Sequence, residues 1–308
     1  MAERILNTKR AKKPKGSPGL AAGRGAAKRP GLSLRRTAGR GALYAFLGLW
    51  ALIQLFPLYY MATFSLKTNQ EIFGTNPIGL PQSWMWENYV DVVENAHMAT
   101  YFLNSVIVTA VTILLVAVLG LMAAYALTRM TWRGRQMTRS FYMLGLAVPI
   151  HAALLPVFLM LRDVKLLNTH FALILPYAAF ALSMGILIFI GFISGIPKEL
   201  EEAACIDGCS VYGIFFRIIL PLMTPAISVV AIFTFLQCWN ELLFASIYNT
   251  SWRYKTLTVG IMEMSGVYRT EWGPIGAGLC FATLPTLILY FVLSEKVQKS
   301  LVLGAVKG

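Results

Sequence analysis

The chain has 308 residues, of which 57% are hydrophobic and only 13% are charged. Soluble domains carry about 25% charged residues, so this composition excludes a soluble globular protein. The formal net charge is +13, but 12 of the 27 Lys and Arg residues fall within residues 1–40. Basic tails can bind nucleic acid. Here an apolar segment follows at once, so we assign the charge to membrane topology and expect no nucleic acid partner.

Six apolar segments are long enough to cross a bilayer as helices, which takes about 20 residues each. They predict an all-α integral membrane protein and cover residues 42–63, 102–127, 141–161, 171–194, 225–247 and 275–294. With the N-terminus inside, 21 of the 27 basic residues lie on the inner side. The positive-inside rule then places both ends in the cytoplasm.

The sequence divides into three parts. Residues 1–40 are rich in Lys, Arg, Gly and Ala, and we expect a disordered cytoplasmic tail that contacts membrane lipid. Residues 41–295 form the predicted six-helix transmembrane domain, and residues 296–308 a cytoplasmic C-terminal tail. The third span contains Pro149 and Pro156, which predict kinks.

A polar-to-apolar helical hairpin, residues 196–225, lies between the fourth and fifth spans. Acidic residues crowd the first turn of its first helix, where the helix dipole favours negative charge. Asp207-Gly208 predicts a turn, and Ser210 is a good N-cap for the next helix. The sequence therefore predicts two short helices at the inner membrane edge.

The spacing of seven residues in this hairpin resembles the EAA–G–I-x-LP signature of ABC importer permeases. The matching residues are Glu202, Ala203, Ala204, Gly208, Ile218, Leu220 and Pro221. Further matches point to the carbohydrate-uptake branch, the relatives of the maltose-importer permease. These lie at Asn104-Ser105 and residues 166–180, 239–245 and 304–308.

This resemblance implies the type I, MetI-like permease fold: six transmembrane helices with a cytoplasmic coupling helix, in a bacterial plasma membrane. It implies alternating access, a second homologous permease, two ABC ATPase subunits and an extracellular solute-binding protein. Glu202 would face a groove of the ATPase, Ala203 and Ala204 would allow close approach, and Gly208 would make the turn. The C-terminal residues that would contact the ATPase are Gly304, Ala305, Val306, Lys307 and Gly308. Residues 248–273 would contact the binding protein.

The chain contains no GxxxxGK[ST] phosphate-binding sequence, so ATP hydrolysis must come from partner subunits. We therefore expect a non-catalytic subunit that binds no cofactor, with ATP and magnesium held by the ATPase. Cys205 and Cys209 have no neighbouring His or Cys in sequence and predict no metal site.

Polar and aromatic groups near the outer half of the domain could line a sugar path or form an outer gate. They are Asn104, Gln237, Trp239, Asn240 and Glu241. A carboxylate inside a span is a functional candidate by default. We keep both roles open for Glu241, and the partner permease could hold most of the sugar site.

Three alternatives compete with a sugar importer. An ion-coupled secondary transporter needs titratable relays in the membrane, and Glu241 alone makes a poor relay. A membrane-embedded enzyme would need a catalytic cluster, and the three histidines lie far apart in sequence. An ABC permease for a non-sugar solute is the nearest alternative.

Overall fold

The computed structural model describes the backbone of residues 30–94, 96–265 and 270–305, with side chains for 39–94, 96–265 and 270–292. The described part is helical and contains no strand. Its α-helices are α1 (Pro30–Phe64), α2 (Glu87–Glu94), α3 (Met98–Arg129), α4 (Arg135–Gly145), α5 (Leu154–Asp163), α6 (Phe171–Ser194), α7 (Glu199–Ile206), α8 (Val211–Ile214), α9 (Leu220–Leu222), α10 (Thr224–Trp239), α11 (Leu243–Tyr248), α12 (Leu257–Glu263) and α13 (Trp272–Ala305). Two π-helical turns (Glu71–Thr75 and Phe215–Ile219) and two 3₁₀ turns (Ile150–Ala153 and Trp252–Tyr254) complete them.

Four stretches are long and apolar enough to cross a membrane as single helices. They are Gly39–Phe64, Met98–Arg129, Phe171–Ser194 and Trp272–Val292. Two further spans form only if a bent helix pair counts as one span: Arg135–Gly145 with Ile150–Asp163, bent by 96°, and Val211–Leu222 with Thr224–Trp239, bent by 70°. The chain is thus a multi-pass membrane protein with four to six spans among the described residues.

The first of these bends lies in the predicted third span, where the prolines predict a kink. Pro149 precedes the 3₁₀ turn that separates α4 from α5, because proline supplies no backbone donor to continue a helix. The predicted fifth span, 225–247, is also interrupted, since α10 ends at Trp239 and α11 begins only at Leu243.

The two termini are more helical than the composition indicates. The predicted irregular tail ran to residue 40, but α1 begins at Pro30, a residue favoured in the first turn of a helix. Similarly, α13 continues to Ala305 and so includes most of the predicted C-terminal tail. Residues 1–29 and 306–308 lie outside the described part, which leaves the rest of both predictions open.

The chain divides between Leu55 and Phe56 into two units. In the first unit, the described side chains, residues 39–55, are all exposed. The second unit is built around the pairing of α3 with α6, with α10 packed against both. Gly185 allows this close approach, because a Cβ there would lie 3.0 Å from Val116 of α3 and 3.3 Å from Val230 of α10.

Candidate functional site

The turn of the hairpin is a Schellman motif that ends α7. Gly208 has φ +81°, the left-handed region that glycine adopts without strain. Its N–H donates to the carbonyl of Cys205 at 3.0 Å, and the N–H of Cys209 donates to that of Ala204 at 2.9 Å. The predicted turn therefore satisfies two of the carbonyls that a helix end leaves free.

The second arm of the hairpin begins at Ser210, whose hydroxyl accepts the N–H of Gly213 at 3.2 Å, as predicted for an N-cap. The helix then widens into the π-turn Phe215–Ile219, which the N–H of Leu220 closes on the carbonyl of Phe215. Pro221 follows, with no N–H to offer, and the chain bends into α10.

The hairpin has two faces of different character. One face enters the inner core cluster beside α3, α6 and α10, through the buried residues Ala204, Ile214, Phe215 and Ile219. The other face is exposed and comprises Glu202, Ala203, Ile206, Tyr212 and Phe216. Ile206 is 87% exposed and Tyr212 is 77% exposed, so this face presents large apolar side chains.

The signature residues divide between these faces. Glu202 and Ala203 lie on the exposed face with Gly208 and Pro221, whereas Ala204 packs against this chain's own core. Of the two alanines of the signature, only Ala203 is therefore exposed, and the predicted close approach of a partner stays a prediction. Ile218 and Leu220 are half-buried against the same cluster.

The base of the hairpin is held by Arg129, at the end of α3. Its Nη2 donates to the carbonyls of Ile193 at 3.0 Å and Ile196 at 2.6 Å. Its Nε lies 2.6 Å from Oε1 of Glu201, an ion pair without the alignment of a hydrogen bond. The hydroxyl of Tyr125 donates to the other oxygen of Glu201 at 3.1 Å.

Sequence reasoning did not single out this group. The sequence shows only a basic residue at the end of a long helix and an acidic residue in the first turn of a short one. Both positions are equally common for charged residues on an exposed surface.

At the end of α3 far from Arg129, the side chain of Asn104 is hydrogen-bonded to backbone groups. Its amide nitrogen donates to the carbonyls of Arg253 and Lys255, both at 2.9 Å. Its Oδ1 lies 2.8 Å from Nε2 of His170, so the neutral imidazole donates this bond with its Nε2–H. Asn104 is 4% exposed, and Ser105 beside it accepts the N–H of Leu257 at 2.8 Å.

Burial lowers the pKa of His170 and so favours the neutral imidazole that this contact uses. His170 was not among the predicted site residues.

Glu241 is a helix cap. Its carboxylate accepts the N–H groups of Phe244 at 2.9 Å and Ala245 at 3.1 Å, at the start of α11, and the hydroxyl of Tyr177 at 2.5 Å. Three donors occupy this carboxylate, which gives it a structural role at the break between α10 and α11.

The other three residues predicted for the solute path or outer gate have different surroundings. Trp239 is 4% exposed, and its indole N–H donates to the carbonyl of Ala282 at 2.9 Å. Asn240 is exposed and donates to the carbonyl of Leu236. Gln237 is half-buried and lines a small hollow with Met184, Phe233 and Thr234. In the part of the chain that the structure describes, the side chains of these five residues thus contact different partners, and their role in a solute path stays a prediction.

The remaining two predictions concern a metal site and the C-terminal residues. Among the residues that the structure describes, no group of three or more His, Cys, Asp or Glu side chains is placed to hold a metal ion. Of the five C-terminal residues, Gly304 and Ala305 end α13, and the others lie outside the described part.

Residues 116–301 match the family of binding-protein-dependent transport system inner membrane components. The chain belongs to this family. Its members are ABC permease subunits, which are non-catalytic.

Several characterised or named relatives resemble this permease. It is 34% identical to the probable ABC transporter permease YurM of Bacillus subtilis, over 88% of this chain and 89% of the relative. It is 36% identical to the diacetylchitobiose uptake permease NgcG of Streptomyces coelicolor, over 85% of this chain and 87% of the relative. It is 33% identical to the trehalose/maltose transport permease MalG of Thermococcus litoralis, over 84% of this chain and 94% of the relative.

The fold is that of ABC importer permeases. A chain from the crystal structure of a bacterial ABC transporter that imports the acidic polysaccharide alginate superposes with a TM-score of 0.74, at 21% identity, over 85% of this permease and 97% of that chain.

Proposed function

We propose that this permease takes up a sugar or oligosaccharide as part of an ATP-driven importer in a bacterial plasma membrane. A second, homologous permease completes the membrane part. Two ABC ATPase subunits bind on the cytoplasmic side, where both ends of the chain also lie. An extracellular solute-binding protein delivers the solute, and transport proceeds by alternating access.

One observation supports the proposal: the hairpin has one face inside the core and one exposed face that carries large apolar side chains. Ile206, Tyr212 and Phe216 are exposed next to Glu202 and Ala203, on a segment whose other side packs on three spans. An exposed apolar patch marks a protein or a membrane interaction site, and the cytoplasmic position that we propose for the hairpin selects a protein. A subunit docked there would move α3, α6 and α10 together, as rigid-body switching requires.

ATP and magnesium bind to the ATPase, because no phosphate-binding motif occurs in this sequence. Residues 304–308 are the proposed C-terminal contact with the ATPase. Residues 248–273 are the proposed contact for the binding protein.

Sugar is the favoured solute class because relatives at 33–36% identity carry names for diacetylchitobiose and trehalose/maltose uptake. A non-sugar solute is the second candidate. The MetNI methionine transporter shares the fold at a TM-score of 0.53 but only 15% identity, which bears on the fold alone.

The test is co-purification followed by transport. We expect mild detergent extraction to recover a second permease and a Walker-motif ATPase, and uptake of a labelled disaccharide that vanadate blocks and an uncoupler spares. Recovery of the chain alone as a homo-oligomer, or uptake that the uncoupler abolishes, would contradict the importer. Vanadate-sensitive uptake of amino acids but no sugar would select the second candidate.

A further inference from the structure

The hairpin is joined to α6 by a short non-helical linker, residues 195–198. A linker of this kind would let α7 swing relative to α6. Arg129 bridges it, because Ile193 lies at the end of α6, Ile196 lies within the linker and Glu201 lies after it. A change in the angle between α7 and α6 would therefore strain the contact between Arg129 and Glu201.

This ion pair resists separation. The side chains of Arg129 and Glu201 are only 8% and 14% exposed. Breaking a buried pair leaves an uncompensated charge in a poorly solvated place, a strongly unfavourable change. The hydroxyl of Tyr125, also on α3, adds a second bond to the same carboxylate. When the hairpin moves, the inner end of α3 moves with it.

The outer end of α3 is fixed in the same way to a different segment. Asn104 donates to the carbonyls of Arg253 and Lys255, and Ser105 accepts the N–H of Leu257. Between Ser105 and Arg129, α3 is an unbroken helix without proline, about 36 Å long at 1.5 Å per residue. Both ends of one rigid element are therefore tied to segments on opposite sides of the molecule.

We propose that α3 is a rod that carries displacement of the hairpin to the outer segment 253–257. Arg129 and Glu201 are positioning residues that lock the rod to the hairpin. Asn104 and Ser105 lock it to the outer segment. The inference rests on the proposed function, in which ATPase subunits move the hairpin.

The test is hydrogen–deuterium exchange of the peptide covering 249–258, in the full complex with its ATPase in nanodiscs, at rest and trapped with vanadate. The N–H of Leu257 lies in this peptide and reports directly on the bond to Ser105. In the wild-type complex, trapping is expected to change the exchange rate about fivefold or more, the lower end of typical coupling between sites. In Glu201→Gln the change is expected to vanish while the complex still assembles and hydrolyses ATP.

Glu199→Gln is the matched control, because Glu199 is an exposed carboxylate in the same helical turn. It should respond as the wild type does. If Glu201→Gln fails to assemble, Tyr125→Phe decides, since it removes only one bond to Glu201 and should reduce the response without affecting assembly. A full wild-type response in an assembled Glu201→Gln complex, or in Tyr125→Phe where that variant decides, overturns the rod. A wild-type complex that holds no ATPase overturns the proposed function instead.

Discussion

Gly208 carries the turn of the hairpin at a backbone angle that costs other residues about 1 kcal/mol. A Cβ at this position would meet nothing within 4 Å, so the cost of a substitution is conformational and not steric. We expect Gly208→Ala to lower the free energy of unfolding by about 1 kcal/mol, with a smaller loss for Asn, which tolerates this region. Thermal unfolding of the purified complex measures the effect.

Gly213→Ala is the control for that substitution. Its Cβ would lie at ordinary contact distances, 3.6 Å from Oγ of Ser210 and 3.8 Å from Cβ of Cys209, in a helical backbone. We expect no loss of stability there. Equal destabilisation of the two variants would contradict a special role for the left-handed turn.

His170 makes stability depend on pH. Burial lowers its pKa in the folded state, so the unfolded chain binds the proton more readily. The neutral imidazole therefore contributes stability that is present above the unfolded pKa of about 6.5 and is lost as the pH falls below it. We expect the midpoint temperature of thermal unfolding to decrease as the pH is lowered from 7 to 5. The decrease should be smaller in His170→Gln, whose amide can still donate to Asn104. Parallel pH profiles of the two proteins would contradict this.

For single residues, the sequence indicated which side chains would matter but not which groups they would contact. The sequence singled out Asn104 and Trp239 as candidates for a solute path or an outer gate, and the structure shows both side chains donating hydrogen bonds to backbone carbonyls. Their partners are carbonyls of Arg253, Lys255 and Ala282, which lie 149, 151 and 43 residues away. No local pattern encodes contacts over such separations.

At the scale of elements, α11 depends on Glu241. We expect Glu241→Ala to cost about 1–2 kcal/mol, because α11 loses an N-terminal cap that satisfies two N–H groups. Glu241→Gln keeps one acceptor oxygen and should cost less, with the KM for the solute unchanged. Thermal unfolding and uptake kinetics measure the two quantities. A raised KM at unchanged stability would return Glu241 to the solute path.

The helices themselves were largely predictable, because about 20 apolar residues per span is a strong signal. The bends were only partly so. Pro149 indicated the break between α4 and α5, but nothing in the sequence gives its angle of 96°. The length of an apolar segment indicates how many residues lie in the membrane, but it does not determine the angle between two helices of a bent pair.

For the whole molecule, the predicted orientation places the hairpin in the cytoplasm. Cys205 is exposed on it, whereas Cys238 is buried. With the permease pair expressed without its ATPase, we expect a membrane-impermeant maleimide to label the chain in permeabilised cells and not in intact ones. Cys205→Ser should remove most of the signal. Labelling of Cys205 in intact cells would reverse the orientation.

The bridge at Arg129 also constrains how the molecule is made. Its carbonyl partners at Ile193 and Ile196 lie 64 and 67 residues further along the chain. At 5–20 residues per second, the ribosome delivers the first of them roughly 3 to 13 s after Arg129. During that interval the arginine has none of these partners and must remain at the hydrated membrane surface. The newly inserted α3 therefore stays anchored at the interface until the hairpin emerges and draws its charge inward.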